Sequence, residues 1–160
     1  MPHRLEKYEP GRDRSGAQDL RREQLTTHGL RSLPKQIDSG RLPEHLRTRR
    51  AEIVAALGTP EGALGELEQI AVKAVLVVEA GDAWLAQEIA KAARFEDLRP
   101  MLQIYDRFLN TARRSLETVY VLRQRAGANV IDLDAEMQRL AEKRAAVKSA
   151  AREVVDHDSE

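Results

Sequence analysis

IAVKAVLVV, residues 70–78, is the stretch of this 160-residue sequence that decides the fold. Apolar residues continue at helical spacing beyond it, through Trp84 and Ile89, which is too long for a single strand. We therefore predict one helix over residues 60–92, begun by the helix-starting sequence Thr59-Pro60-Glu61. A helix that is apolar on almost every side must be covered on almost every side.

Further helices are predicted on both sides of this stretch. Before it, apolar residues at helical spacing indicate a helix over residues 42–57, with Gly58 as its C-terminal cap. After it, residues 97–126 place their apolar side chains on one face and most of their arginines on the other. A break near residue 129 precedes a C-terminal helix with a narrow apolar seam.

The predicted fold class is therefore all-α, with a long antiparallel helical hairpin at its centre. The predicted organisation has three parts: a flexible basic arm over residues 1–40, a helical core over residues 41–127, and a C-terminal helix with an acidic tail over residues 128–160. The arm is predicted because glycine and proline interrupt it repeatedly and its apolar content is low.

The apolar helix over residues 60–92 also predicts self-assembly. Three or four helices of one chain do not offer enough surface to enclose it, so we expect a homo-oligomer. Trp84 would act as an anchor in that interface or in the core. The residues predicted to form the oligomer or partner interface are Val75, Leu76, Val78, Trp84, Leu140 and Val147.

Composition excludes several classes of protein and of site. The chain has no cysteine, which excludes disulfides, thiolate chemistry and zinc held by cysteine. Aromatic residues make up 4%, too few for a platform that binds nucleic acid by base stacking. The charged N-terminal segment is unlike a signal peptide, and the longest apolar run, residues 74–78, is far short of a membrane span. We therefore expect a cytoplasmic protein.

No set of residues predicts catalysis or a bound cofactor. The four histidines are scattered and do not form a metal-binding pair on one helical face. Glu79-Ala-Gly-Asp82 matches half of the acidic motif with which helical nucleotide pyrophosphatases hold magnesium, but the other half is missing. We therefore predict a protein that is not an enzyme and holds neither metal nor cofactor.

Basic residues near the N-terminus form a candidate DNA-binding surface. Residues 1–50 carry 12 basic and 7 acidic groups, and three arginines lie within one helical turn of the predicted first helix. Clustered cations of this kind can contact phosphates, although an ordinary solvated face is equally consistent with them. The predicted nucleic-acid-binding residues are Arg21, Arg22, Arg31, Lys35, Arg47, Arg49 and Arg50.

Three sequence elements together resemble small helical proteins of phages and prophages, among them small terminase subunits. They are Thr26-Thr27-His28-Gly29-Leu30, the helix from Ala71 to Leu85, and the Leu/Arg-rich helix with the following break from Leu98 to Met137. The resemblance implies a helical hairpin that assembles as a ring beside the large terminase subunit. It also implies DNA binding through the N-terminal segment.

Two functions therefore stay open at this point. The first is a non-catalytic, oligomeric helical scaffold for phage DNA packaging. It would bind DNA and act beside a large terminase subunit. The alternative is a helical protein-interaction adaptor, or the small subunit of a larger complex, without direct DNA contact.

Overall fold

The computed structural model describes residues 29–91 and 98–157, which are helical throughout apart from short connections. The predicted all-α class is confirmed, and no strand occurs within these two ranges. The helices are α1 (residues 29–38), α2 (Glu44–Leu57), α3 (Glu66–Lys91), α4 (Arg99–Arg125) and α5 (Ile131–His157), with a 3-10 turn at Glu61–Ala63.

Helices α3 and α4 form the predicted antiparallel hairpin. Near the start of α3, Glu68 accepts a hydrogen bond from Arg123 Nε near the end of α4, at 2.9 Å. Towards the other end, Asp82 of α3 accepts a hydrogen bond from the Tyr105 hydroxyl of α4. These two pairs fix the direction and the register of the hairpin. The predicted apolar face of α4 is buried, and α4 packs against α3.

Helix α5 returns along α4 and completes a three-helix bundle. The turn between them uses Gly127 with a positive φ of 74°, which a glycine adopts without strain. The side chain of Asn129 accepts the backbone N–H of Ile131, which opens α5. Farther along, Arg144 Nε donates to Asp106 of α4 at 2.8 Å, so α5 runs antiparallel to α4.

Helices α1 and α2 cover the remaining sides of α3. Arg49 of α2 donates to Glu79 of α3 at 3.3 Å. The backbone of Gly29 in α1 lies against the indole of Trp84, and Asp38 at the other end of α1 pairs with Lys73 at 2.5 Å. Four helices thus surround α3 within one chain.

Part of the predicted N-terminal arm is a helix. We predicted a flexible arm over residues 1–40, yet residues 29–38 form α1, and Leu30 and Leu33 are buried in the core. The prediction was wrong here because three apolar residues at helical spacing suffice once α3 offers a surface for them. Residues 1–28 lie outside the described residues, so the prediction for them stays a prediction.

The apolar middle of α3 is enclosed by its own chain. Val75, Leu76 and Val78 have an exposed fraction of 0%, and Leu140 of α5 is buried as well. These four residues therefore cannot form the predicted oligomer interface while the chain stays folded. The prediction for these four residues was wrong because it did not include α1 and underrated how much of the core α5 covers. The uncovered apolar surface from which we predicted an oligomer is therefore absent from the middle of α3.

Helix α3 begins later than predicted. We expected it from residue 60, but the chain makes the turn at Glu61–Ala63, and the helix starts at Glu66. Leu64 lies between them in an extended conformation and is buried. Glu68 then accepts the backbone N–H of Gly65 at 3.0 Å and caps the helix start. Burying Leu64 and satisfying this N–H both favour the later start.

Gly81 allows close packing between α3, α4 and α1, which yields a test of the core. A Cβ atom at residue 81 would lie 3.0 Å from two ring carbons of Tyr105 and 3.8 Å from Leu30. We expect Gly81→Val to lower the free energy of unfolding by about 1–3 kcal/mol through overpacking. Gly62→Ala is the control, because nothing lies within 4 Å of its Cβ position. Urea unfolding measures both, and equal stability of the two variants would contradict this packing.

Candidate binding groove

Arg49 joins three helices through carboxylates. Its guanidinium contacts Glu52 on its own helix at 2.8 Å, Glu79 of α3 at 3.3 Å and Glu136 of α5 at 2.5 Å. The side chain is 16% exposed. Burial opposes the charged form, but the hydrogen bonds that Arg49 donates to Glu136 and Glu52 outweigh it and raise the pKa of Arg49. Arg49 therefore fixes α2 to α3 and α5.

Arg139 of α5 is a second, less well satisfied cation in this network. It contacts Glu79, and its Nε lies 3.5 Å from Glu136. Within the described part of the chain, neither Nε nor Nη2 has a hydrogen-bond partner of good geometry. Burial and the positive charge of Arg49 lower the pKa of Arg139. Burying this charge therefore offsets part of what its contact with Glu79 contributes.

Asp82 connects α3 to both α4 and α5. It pairs with Lys143 of α5 and accepts a hydrogen bond from the Tyr105 hydroxyl. Burial raises the pKa of Tyr105 to about 12, so the hydroxyl keeps its proton and donates to the carboxylate. The two acids of the half motif, Glu79 and Asp82, are therefore both engaged with cations.

This network bears on one predicted DNA-binding residue and on the acidic residues near it. The described residues contain no group of three histidine or acidic side chains placed to hold a metal ion. Arg49 was predicted to contact DNA, and the structure places three carboxylates around its guanidinium, which leaves little of its charge for a phosphate. The sequence could not show this, since Glu79 and Glu136 lie 30 and 87 residues away along the chain.

The other predicted DNA-binding residues are distributed over two helices. Arg31 and Lys35 are exposed on successive turns of α1, and Arg47 is exposed on α2. Arg50 is partly exposed and donates to Glu61 at 2.8 Å. Arg21 and Arg22 lie outside the described residues.

A groove runs between α1 and α2 above the second half of α3. Its volume is about 350 Å³, within the usual range of ligand-binding clefts. Leu33 and Ile37 of α1 form one wall, and Leu42 and Leu46 form the opposite wall. Its floor and polar edge are formed by Ala80, Ala83, Trp84, Gln87, Gln36, Ser39, Arg41, Pro43 and His45.

Trp84 is held in place at the floor of this groove. A Cβ atom at residue 29 would lie 2.4 Å from the indole Nε1, so the α1 backbone approaches the ring as closely as only glycine permits. The Trp84 side chain is half-buried and still lines the groove. The groove therefore offers a rigid aromatic surface beside two small residues, Ala80 and Ala83.

The polar edge of the groove is basic. Arg41 and His45 line it and are exposed, and among the described residues that line it none is acidic. Such a groove can take an apolar side chain on its floor and a carboxylate at its edge.

The sequence analysis identified Trp84 at the floor of this groove but not the wall formed by α1. Trp84 was predicted as an anchor of the core or of an interface, and it does lie partly open. The α1 wall was missed because residues 1–40 were read as a flexible arm. The helical spacing of Leu30, Leu33 and Ile37 was the available signal. Val147, another predicted interface residue, is half-buried against the core.

Comparisons with known proteins found no relative of this chain. No family model, no curated protein and no solved structure matches the chain. In the described residues, no helix has both the length and the apolar character that a membrane crossing requires.

Removing Glu79 should have a larger effect than removing Arg139. Glu79→Gln leaves two partly buried guanidinium groups without their shared carboxylate, so we expect a loss of about 1–3 kcal/mol in unfolding free energy. Arg139→Met removes the poorly satisfied charge, so we expect a change of less than about 1 kcal/mol. Chemical denaturation measures both, and a larger loss for Arg139→Met would refute this description of the network.

The Asp106–Arg144 pair predicts a specific loss of stability in acid. The hydrogen bond from Arg144 lowers the pKa of Asp106 below its ordinary value of 3.8. Because the folded-state pKa is the lower one, the pair stabilises the fold fully above the ordinary value. This contribution disappears as pH falls through the folded-state pKa. Asp106→Asn should therefore flatten the decline in urea midpoint below about pH 4. An unchanged decline would show that the pair contributes nothing.

Proposed function

We propose that this chain is a non-catalytic protein-interaction module. Its groove beside Trp84 would bind an apolar segment of a partner protein that also carries acidic residues. The observation that carries this proposal is the groove itself. It has apolar walls from α1 and from residues 42–46, a fixed tryptophan at the floor and a basic edge.

The shape of the groove favours a helical segment as the occupant. Leu33 and Ile37 are four residues apart on α1, and Leu42 and Leu46 are four apart on the other wall. Two such walls above small floor residues suit the anchor side chains of an amphipathic helix, which recur at the same spacing. Most of the binding free energy would come from one or two apolar anchors seated beside Trp84.

The charge of the groove edge favours acidic residues next to those anchors. Arg41 and His45 are exposed there, so a carboxylate can meet them without a large desolvation cost. Their main contribution would be orientation and discrimination against basic segments rather than a large gain in affinity.

DNA packaging beside a large terminase subunit is the second candidate function. The exposed side chains of Arg31, Lys35 and Arg47 support it, together with the resemblance of the sequence elements. Arg49 no longer contributes to it, because its charge is neutralised inside the protein. We therefore place it after the interaction module.

The intrinsic fluorescence of Trp84 tests the interaction module directly, because the chain has one tryptophan. The probe is a capped amphipathic peptide with leucines at helical spacing and glutamates at its other positions. We expect saturable binding with a blue shift in emission, since a leucine would displace water from the indole. A matched peptide with lysines in place of the glutamates should bind about tenfold more weakly.

Variants of the groove sharpen this experiment. Ala83→Glu places a carboxylate on the exposed part of the floor and should abolish binding of the glutamate peptide. Ala51→Glu is the matched control, because Ala51 is exposed on α2 and does not line the groove. Binding that survives Ala83→Glu, or a spectrum that does not respond to either peptide, would rule out the groove as the binding site.

A gel-shift assay separates the two candidate functions. The interaction module predicts no shift of duplex DNA at moderate salt, and no difference between the wild type and an Arg31→Ala, Arg47→Ala variant. DNA packaging predicts binding that weakens steeply with salt and weakens further in the variant. The second pattern would contradict the order in which we place the two functions.

A further inference from the structure

Six large apolar side chains are exposed in the described residues, and three of them belong to one face of the α3–α4 hairpin. Leu67 and Ile70 near the start of α3 are 48% and 47% exposed, and Leu122 near the end of α4 is 47% exposed. We call these three residues the end patch. Such side chains are ordinary when they are scattered, but a contiguous group marks a contact surface.

The Glu68–Arg123 pair places Leu67 and Leu122 at one level and on one side of the hairpin. Leu67 directly precedes Glu68, and Leu122 directly precedes Arg123. One step back along each of two antiparallel helices turns both side chains towards the same side of the hairpin. Ile70, three residues after Leu67, stays on that side.

The two α3 residues of the end patch lie beyond the end of α1. Helix α1 lies along α3 from Trp84, beside Gly29, to Lys73, which pairs with Asp38. It ends there, and Leu67 and Ile70 belong to the preceding turns of α3. Leu67 and Ile70 therefore lie beyond the segment of α3 that α1 contacts.

Charges of both signs flank the end patch. Glu66 lies two residues before Glu68 and Arg125 two residues after Arg123, so the two side chains share one level on the two helices. Both are exposed, Glu66 on the α3 side and Arg125 on the α4 side. A two-fold axis parallel to the helices would bring each Glu66 opposite Arg125 of a second copy. A surface with this property is self-complementary.

We propose that a second copy of this chain docks on the end patch and forms a two-fold symmetric dimer. The apolar side chains of the two copies would meet at the centre, with two Glu66–Arg125 pairs at the edges. This dimer uses none of the buried residues from which the sequence predicted an oligomer. It is also independent of the Trp84 groove, which lies towards the other end of α3.

The size of the end patch indicates a weak dimer. Stable interfaces bury about 800 Å² on each partner, which is more than three half-exposed side chains and their neighbours provide. We therefore expect a dissociation constant no tighter than about 10 μM, so that dimers form only at high concentration.

Sedimentation equilibrium of the full chain from about 10 μM to about 1 mM tests the proposal. We expect the average mass to rise from monomer to dimer. A Leu67→Glu, Leu122→Glu variant should stay monomeric across the range. Ile89→Glu is the control, because Ile89 is 50% exposed at the other end of α3, and this variant should dimerise like the wild type.

Charge reversal distinguishes the proposed dimer from unspecific apolar association. Glu66→Arg alone and Arg125→Glu alone should each weaken dimerisation, because each creates two like-charge pairs. The double reversal should restore it to within about threefold of the wild type. A wild type that is monomeric at the highest concentration, loss of dimer in Ile89→Glu, or no rescue in the double reversal would each overturn the proposal.

Discussion

The enclosure of α3 by its own chain is the constraint on which the rest of the structure depends. Its middle turns are apolar on almost every side, so water must be excluded around the full circumference. Helices α4 and α5 cover two sides, and α1 and α2 cover the others. The connections of the fold follow from this requirement, since each helix runs alongside α3 or packs against a helix that does.

Sequence reasoning could predict the parts of this fold that depend on strong local signals. The apolar face of α4 and the end of α2 at Gly58 agree with the structure, because helical periodicity and a capping glycine act locally. Helix α1 could not be predicted in the same way. Its few apolar side chains stabilise a helix only when α3 is already beside them, and that proximity is a tertiary effect. The predicted oligomer interface was placed on buried residues partly because of this omission and partly because the cover from α5 was underrated.

The candidate site shows the same limit. Arg47, Arg49 and Arg50 look equivalent in the sequence. In the structure Arg47 is exposed, Arg49 is surrounded by carboxylates from three helices, and Arg50 pairs with Glu61. The groove likewise needs α1, whose position the sequence did not reveal, although Trp84 itself stood out as an anchor. Both proposed contact surfaces, the groove and the end patch, lie where the cover over α3 is incomplete.

Native-state hydrogen exchange of the backbone amides of residues 75–78 tests the enclosure of α3 most directly. The measurement uses a dilute sample in which sedimentation shows only monomer. Enclosure by the chain's own helices means that these amides should exchange only through global unfolding, so their protection should equal the full unfolding free energy. Exchange through local openings several kcal/mol below that value, or protection that appears only at high concentration, would contradict it.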